Sequence, residues 1–367
     1  MTTATAQHHA HDAPDGAVRA WIYVLALFVV AMVAVGGATR LTGSGLSITE
    51  WRPLTGAIPP LSQEAWLAEF DRYRQIDQYR LLNRGMSLAE FQVIYWWEWG
   101  HRQLGRALGF VFFIPLVFFW LRKRISGKLA LTLLAIGGLG GLQATVGWIM
   151  VASGLEPGMV AVAPIKLTLH LMIASVILAA LIWVAVGLKP RPAEALPSPI
   201  MRGAFIVFVL LLAQIALGGL VAGSKAGWTF NTWPLMDGGF APSMTTLFAA
   251  DPWIANFVAN VALVQFNHRL LAYLLIGYAF FHAWRTMRLA PGSSASRQAV
   301  AIAGLCLAQG ALGVVTLLLA VPLWAGLAHQ VFAMVVLAMA TVHLRIVLVQ
   351  RRQAERQRDG SLASVTA

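Results

Sequence analysis

Apolar runs of about 20 residues, each long enough to cross a bilayer as a helix, recur along this chain and leave little room for any other kind of fold. They fall near residues 19–38, 99–121, 129–152, 165–188, 203–223, 259–284, 298–320 and 325–348. Soluble domains carry roughly 25% charged residues; here 11% of 367 residues are charged. In lipid every backbone polar group must find a partner within the protein, and a helix provides one segment by segment. The expected fold is therefore an all-α integral membrane protein with eight transmembrane helices.

The formal net charge of +12 is gathered into short connectors: "RKRISGK" (122–128), "KPRP" (189–192), "RTMR" (285–288) and "RRQAERQR" (351–358). These follow the second, fourth, sixth and eighth runs, as the positive-inside rule expects of cytoplasmic loops. That patterning argues against nucleic-acid binding and places both termini in the cytoplasm. Residues 1–18 then read as a disordered cytoplasmic tail, 189–202 as a cytoplasmic linker and 349–367 as a basic cytoplasmic tail. The "HHAH" of the first tail is too irregular for a metal site. The long connectors 39–98 and 224–258 fall outside, and the first contains a polar, helical stretch, "SQEAWLAEFDRYRQIDQYRLLNRG". Fourteen tryptophans suit two aromatic interface belts. The single cysteine, Cys306, lies in an apolar run and reads as a packing residue.

The two halves resemble each other. "AVGGATRLTGSGLSITEWRPLTGAIPP" matches "ALGGLVAGSKAGWTFNTWPLMDGGFAP", aligning Gly36-Gly37 with Gly218-Gly219 and Trp51 with Trp233. "GGLQATVGW" matches "CLAQGALGVV", aligning Gln143 and Gly147 with Gln309 and Gly313, and "WGHRQLGRALGF" matches "FNHRLLAYLLIG". Four spans return the chain to its starting side, so the expectation is two tandem four-helix bundles in parallel, 19–188 and 203–348. The glycine pairs fit close helix contacts.

His101, His170, His268 and His329 lie one in each even-numbered span, each in its outer half. His282 and His343 sit nearer the cytoplasmic ends and read as interfacial. A polar side chain in hydrocarbon is costly and marks function by default. Imidazoles paired across facing helices are a natural way to hold a metal cofactor. Zinc favours a third or fourth ligand such as cysteine, whereas two histidines suit the axial positions of a haem iron. Arg102 and Arg269 each follow a histidine, and a planar guanidinium suits a haem propionate. The alternative for both is a helix-local pair.

The halves differ where "EWGH" (98–101) aligns with "QFNH" (265–268), so Glu98 stands opposite Gln265. At i, i+3 the carboxylate and His101 share a helical face. A carboxylate beside a haem pocket can move protons or stabilise developing positive charge. A plain Glu98–Arg102 helix salt bridge does not explain why only one half has the acid. The first site thus reads as reactive and the second as a bis-histidine electron carrier.

Together "GGATRLTGSGLSITEWRPLTGAIPP", "YWWEWGHR", "NTWPLMDG", "FNHR" and "GLAHQ" resemble the haem A synthase family of cytochrome oxidase maturation, over about residues 19–348. The resemblance implies oxidation of the C8 methyl group of haem O to a formyl group by a membrane-bound oxidoreductase. It implies a substrate haem between His101 and His170, Glu98 as the catalytic carboxylate, and a haem b cofactor on His268 and His329. Implied partners are haem O, membrane lipid, haem O synthase, oxidase assembly factors and an electron acceptor. Some members carry loop cysteines; this sequence resembles the subgroup without them. The first residues show no targeting pattern, which favours a bacterial inner-membrane member. A non-catalytic dihaem cytochrome would explain the histidines but not the Glu98/Gln265 difference, and a transporter would explain only the repeat.

Overall fold

The computed structural model describes residues 16–365, with side chains described as far as residue 357. The first fifteen residues of the expected N-terminal tail, including its "HHAH", lie outside the described residues. Helices account for nearly all regular structure. They are α1 (Gly16–Leu41), α2 (Gln63–Arg74), α3 (Asp77–Leu82), α4 (Leu88–Leu121), α5 (Gly127–Gly154), α6 (Pro164–Gly187), α7 (Ser198–Gly223), α8 (Met244–Leu247), α9 (Asn256–Ala259), α10 (Val261–Leu289), α11 (Ser294–Leu318) and α12 (Leu323–Val365). Among the described residues there is no strand, only an isolated bridge between Met236 and Gly239.

Seven of these helices are long and apolar enough to cross a membrane: α1, α4, α5, α6, α7, α11 and α12. The chain is thus an all-α, multi-pass membrane protein. The expected sixth span is present as α10, a helix of 29 residues, but its composition keeps it out of that set. Gln265, Asn267, His268 and Arg269 dilute its first turns, and Arg285 and Arg288 its last.

Packing puts α1 against α4 and α6, with α5 against α6; likewise α7 lies against α10 and α12, with α11 against α12. The two sets meet where α6 and α12 pack on each other and on α7 and α1 respectively. The main core includes Ile22, Leu25, Val29 and Val33 of α1, Leu178 and Leu181 of α6, and Leu337 of α12. A second cluster joins Val207 and Leu211 of α7, Leu275 and Ala279 of α10, Ile302 and Cys306 of α11, and Val336 of α12. Cys306 is a buried free thiol there, a packing residue.

The polar stretch of the first long connector folds as two helices, α2 and α3, beside an early start of α4. Ser87 accepts from Glu90 N and the Glu90 carboxylate accepts from Ser87 N, a capping box that starts α4 at Leu88. Glu98 and His101 are therefore well inside a helix, not at its lip as the apolar run suggested. The added turns bury Phe91, Ile94, Tyr95 and Glu98 on one face. Phe91 and Tyr95 pack with Phe70 and Tyr73 of α2. The Tyr73 hydroxyl donates to Gln78 Oε1 at 3.0 Å and accepts from Asn83 at 2.6 Å, and burial pushes its pKa up. Gln78 Nε2 donates to Gly43 O, in the left-handed turn that ends α1, and to Val160 O. This layer roofs the first set of helices at the end bearing the long connectors.

Candidate functional site

Glycines decide where the four histidines sit. A Cβ on Gly36 of α1 would stand 3.0 Å from the His101 ring on α4, and one on Gly147 of α5 would stand 2.7 Å from the His170 ring on α6. In the second set, Gly218 of α7 faces His268 of α10 at 3.2 Å, and Gly313 of α11 faces His329 of α12 at 2.9 Å. Each imidazole thus lies against a bare stretch of neighbouring helix that a methyl group would obstruct. The second glycine of each pair works differently. Gly37 admits Gln330 of α12, whose Nε2 donates to Val33 O at 2.8 Å, and Gly219 admits Thr168 of α6. One glycine seats a histidine; the next seats the other set of helices.

The His268 and His329 rings face each other with centroids 6.5 Å apart and planes at 81°. Gln309 reaches His329 Nδ1 at 3.1 Å, and Gln214 reaches His268 Nδ1 at 3.1 Å. Both glutamines also donate to the backbone carbonyl of the same histidine. Rings held in this way have a fixed orientation. In the first set His101 and His170 are electrostatic neighbours, but their surroundings differ. His170 Nδ1 is buried without a hydrogen-bond partner, and Met32 stands one turn before Gly36, where α7 has Gln214. Among the described residues no group of three or more His, Cys, Asp or Glu converges on one point.

Glu98 is 3% exposed and fully engaged. Its Oε2 accepts from Ser47 Oγ at 2.8 Å and Ile48 N at 2.9 Å; its Oε1 accepts from Arg102 Nη2 at 2.6 Å. Arg102 also donates to Ile48 O and Glu50 O. Gln265, equally buried, donates to Ala226 O at 2.7 Å and accepts from Arg269 Nη2 at 2.9 Å. Arg269 in turn donates to Phe230 O and Thr232 O. A cleft of about 290 Å³ opens beside the Glu98–Arg102 pair, walled by Glu50, Arg52, Glu69, Arg72, Tyr95 and Arg102.

Residues 19–341 match the family described as cytochrome oxidase assembly protein, COX15-CtaA. The chain belongs to this family. It is 64% identical over 347 residues to a heme A synthase of Methylobacterium sp. (strain 4-46), covering 94% of this chain and 96% of the relative. It is 65% identical over 326 residues to the heme A synthase of Methylobacterium nodulans, covering 89% and 91%. With that of Brucella anthropi it shares 47% over 355 residues, covering 94% and 98%.

In this COX15-CtaA member two further histidines, those nearer the expected cytoplasmic ends, are buried against each other. His282 and His343 are 2% and 1% exposed, and their Nε2 atoms stand 2.9 Å apart. Gly203 of α7 presses on the His282 ring, and Gln298 Oε1 lies 3.2 Å from His343 Nδ1. They follow His268 and His329 along α10 and α12 by the same interval, so one pair of helices carries two rungs of facing imidazoles. That spacing was readable in advance. So was the recurring Gln-x-x-x-Gly of Gln143, Gln214 and Gln309, which at i, i+4 puts an amide and a bare backbone on one face.

Proposed function

We propose that this protein is a haem A synthase that oxidises the C8 methyl group of haem O to a formyl group, through an alcohol and a hydrated aldehyde that loses water. The observation that carries the reading is the unequal pair of otherwise matching sites. Both have two histidines seated on glycines and an arginine clasped to a loop; one has a buried carboxylate, the other an amide.

The second site takes haem b. His268 and His329, with ring centroids 6.5 Å apart, would hold its iron between them. A haem b bound there would supply one-electron redox chemistry toward an external acceptor. Gln214 and Gln309 hold the two rings. The first site takes haem O between His101 and His170. Gly36 and Gly147 keep the imidazoles close to the helix backbones, and the missing amide opposite Met32 leaves the His101 ring less tightly held. Glu98, one turn from His101, handles protons or stabilises positive charge developing on the methyl carbon. Ser47, Ile48 and Arg102 orient that carboxylate. Arg102 and Arg269 each make the helix-local pair, with Glu98 and Gln265, and a guanidinium so held beside a histidine site suits a haem propionate.

The architecture supporting this reading is two tandem four-helix halves, 19–188 and 203–348, with α10 as an eighth span between partner helices. The matching neighbour pattern and the matching arginine bonds favour it. The orientation is that of the basic connectors: both termini cytoplasmic, in the bacterial inner membrane, with both histidine pairs toward the outer side. Haem O synthase is the natural donor of the substrate, and oxidase assembly factors the receivers of the product. Expression in cells that make haem O but not haem A, followed by chromatography of extracted haems, tests the proposal. Haem A is expected with the wild type and not with Glu98→Gln. Haem O alone with normal amounts of wild-type protein would leave a dihaem cytochrome.

A further inference from the structure

The two sets of helices differ in how they are closed at the side. In the second, α10 and α11 run in contact: Leu275 and Ala279 pack with Ile302, Ala303 and Cys306. Farther along, a Cβ on Gly310 would stand 2.7 Å from Ile276 Cδ1. Aligning the histidine motifs puts Gly109 of α4 where Ile276 is, and aligning the Gln-x-x-x-Gly motifs puts Ala144 of α5 where Gly310 is. That contact is missing between α4 and α5. A Cβ on Gly109 would meet nothing within 4 Å, nor would one on Gly138, Gly140 or Gly141, and Ala144 is exposed. The two helices do touch nearer their short connector, where Phe112 lies 2.9 Å from a Cβ on Gly137. Beyond that point they splay, and α4 and α5 approach each other at few positions.

The splayed part leads inward to His101 on α4 and to His170 against Gly147 of α5. There His170 Nδ1 is buried and without a hydrogen-bond partner, whereas its counterpart His329 Nδ1 lies 3.1 Å from Gln309 Nε2. Buried polar atoms without a partner mark a place where a ligand group belongs. At the connector end the cleft beside Arg102 is walled by the charged side chains of Glu50, Arg52, Glu69 and Arg72, which do not suit an apolar ring. Ser47 and Ile48 are tied to Glu98, Gln78 ties α3 to both neighbouring loops, and Phe70, Tyr73, Phe91 and Tyr95 fill the space above. The side opening is lined by glycine, alanine and exposed apolar residues such as Phe110 and Leu142, surfaces that face lipid.

We propose that the substrate porphyrin enters and leaves the first half sideways from the lipid, through the cleft between α4 and α5, apolar edge foremost. The Ile276–Gly310 contact shuts the corresponding path in the second half and makes its haem resident. This rests on the substrate occupying the first half. A flat, lipophilic ring needs small side chains on both walls, and Gly109 and Ala144 are the residues that decide passage.

The test transplants the closed contact as Gly109→Ile with Ala144→Gly, in the full chain, in cells making haem O. Conversion and co-purified haem O are expected to fall several-fold, with the haem b optical spectrum unchanged. A second variant, Gly109→Cys with Ala144→Cys, is joined by a cleavable bifunctional thiol reagent; the native Cys306 is buried. Uptake should be lost on joining and restored on cleavage, which separates closure from misfolding. Uptake unaffected by joining, with joining verified by mass, overturns the side entry. His101→Ala is measured in parallel: if it converts haem O normally, the assignment of substrate to the first half fails instead.

Discussion

Glu98 and Arg102, one helical turn apart on α4, hold the backbone of one residue, Ile48, by both its N–H and its carbonyl. Ile48 N donates to Glu98 and Ile48 O accepts from Arg102, while the two side chains bond each other at 2.6 Å. The loop after α1 is thereby fixed over the carboxylate. In the second half Arg269 makes the matching bonds to Phe230 and Thr232, but its turn-mate is the neutral Gln265.

That contrast predicts unequal costs for equivalent changes. Arg102→Met leaves a buried carboxylate without its countercharge, a loss of about 3–5 kcal/mol. Arg269→Met leaves a neutral amide, and the loss is about 1–2 kcal/mol. Thermal unfolding of the detergent-solubilised protein compares them. Equal losses would mean that the carbonyl bonds, not the charge pair, dominate.

The glycine seats predict separable spectroscopic effects. Gly313→Leu drives a side chain into the His329 ring, so the low-spin haem b spectrum should be lost or shifted. Gly147→Leu crowds His170 in the same way; there the haem b spectrum should persist while haem A production stops. Optical difference spectra and extracted-haem chromatography on the two variants make the check. A disturbed haem b spectrum in Gly147→Leu would assign the sites the wrong way round.

Gln309→Leu removes the amide that reaches His329 Nδ1 at 3.1 Å. Partners that orient a metal ligand typically change retention of the metal group by about 10–100-fold. Faster loss of haem b during purification is the expected result. Gln143→Leu, at the position in the first set that matches Gln309, should leave haem b retention as it is.

Much of this arrangement was legible in the sequence, because bilayer-length apolar runs admit few structures. The helices, their order and the repeat of "GG", "HR" and Gln-x-x-x-Gly follow from local patterning. The start of α4 did not. Hydropathy marks where a helix enters lipid, whereas Leu88 is set by a capping box, and the following turns are held by the aromatic layer of α2. The sixth run is a helix whose polar and basic residues make it a weak span by composition. Nor could one sequence show that consecutive glycines serve different partners, or that α4 and α5 part where α10 and α11 stay together. Those are tertiary facts, decided by what stands opposite each position.

The second rung of imidazoles yields the last prediction. His282 and His343 lie in a packed interior, bonded through Nε2 at 2.9 Å. If His343 Nδ1–H donates to Gln298 Oε1, then His343 Nε2 accepts and His282 Nε2–H donates, a neutral pair needing no buried charge. Replacing His343 alone by Leu strands the His282 donor in an apolar core, at about 1–3 kcal/mol. Replacing both by Leu removes donor and acceptor together, and apolar groups of similar size restore part of that loss. Unfolding midpoints should therefore rank wild type highest, the double variant next and His343→Leu lowest, with the haem b spectrum the same in all three. A double variant less stable than the single one would mean that the rings, through their packing against Gly203, matter more than the hydrogen bond between them.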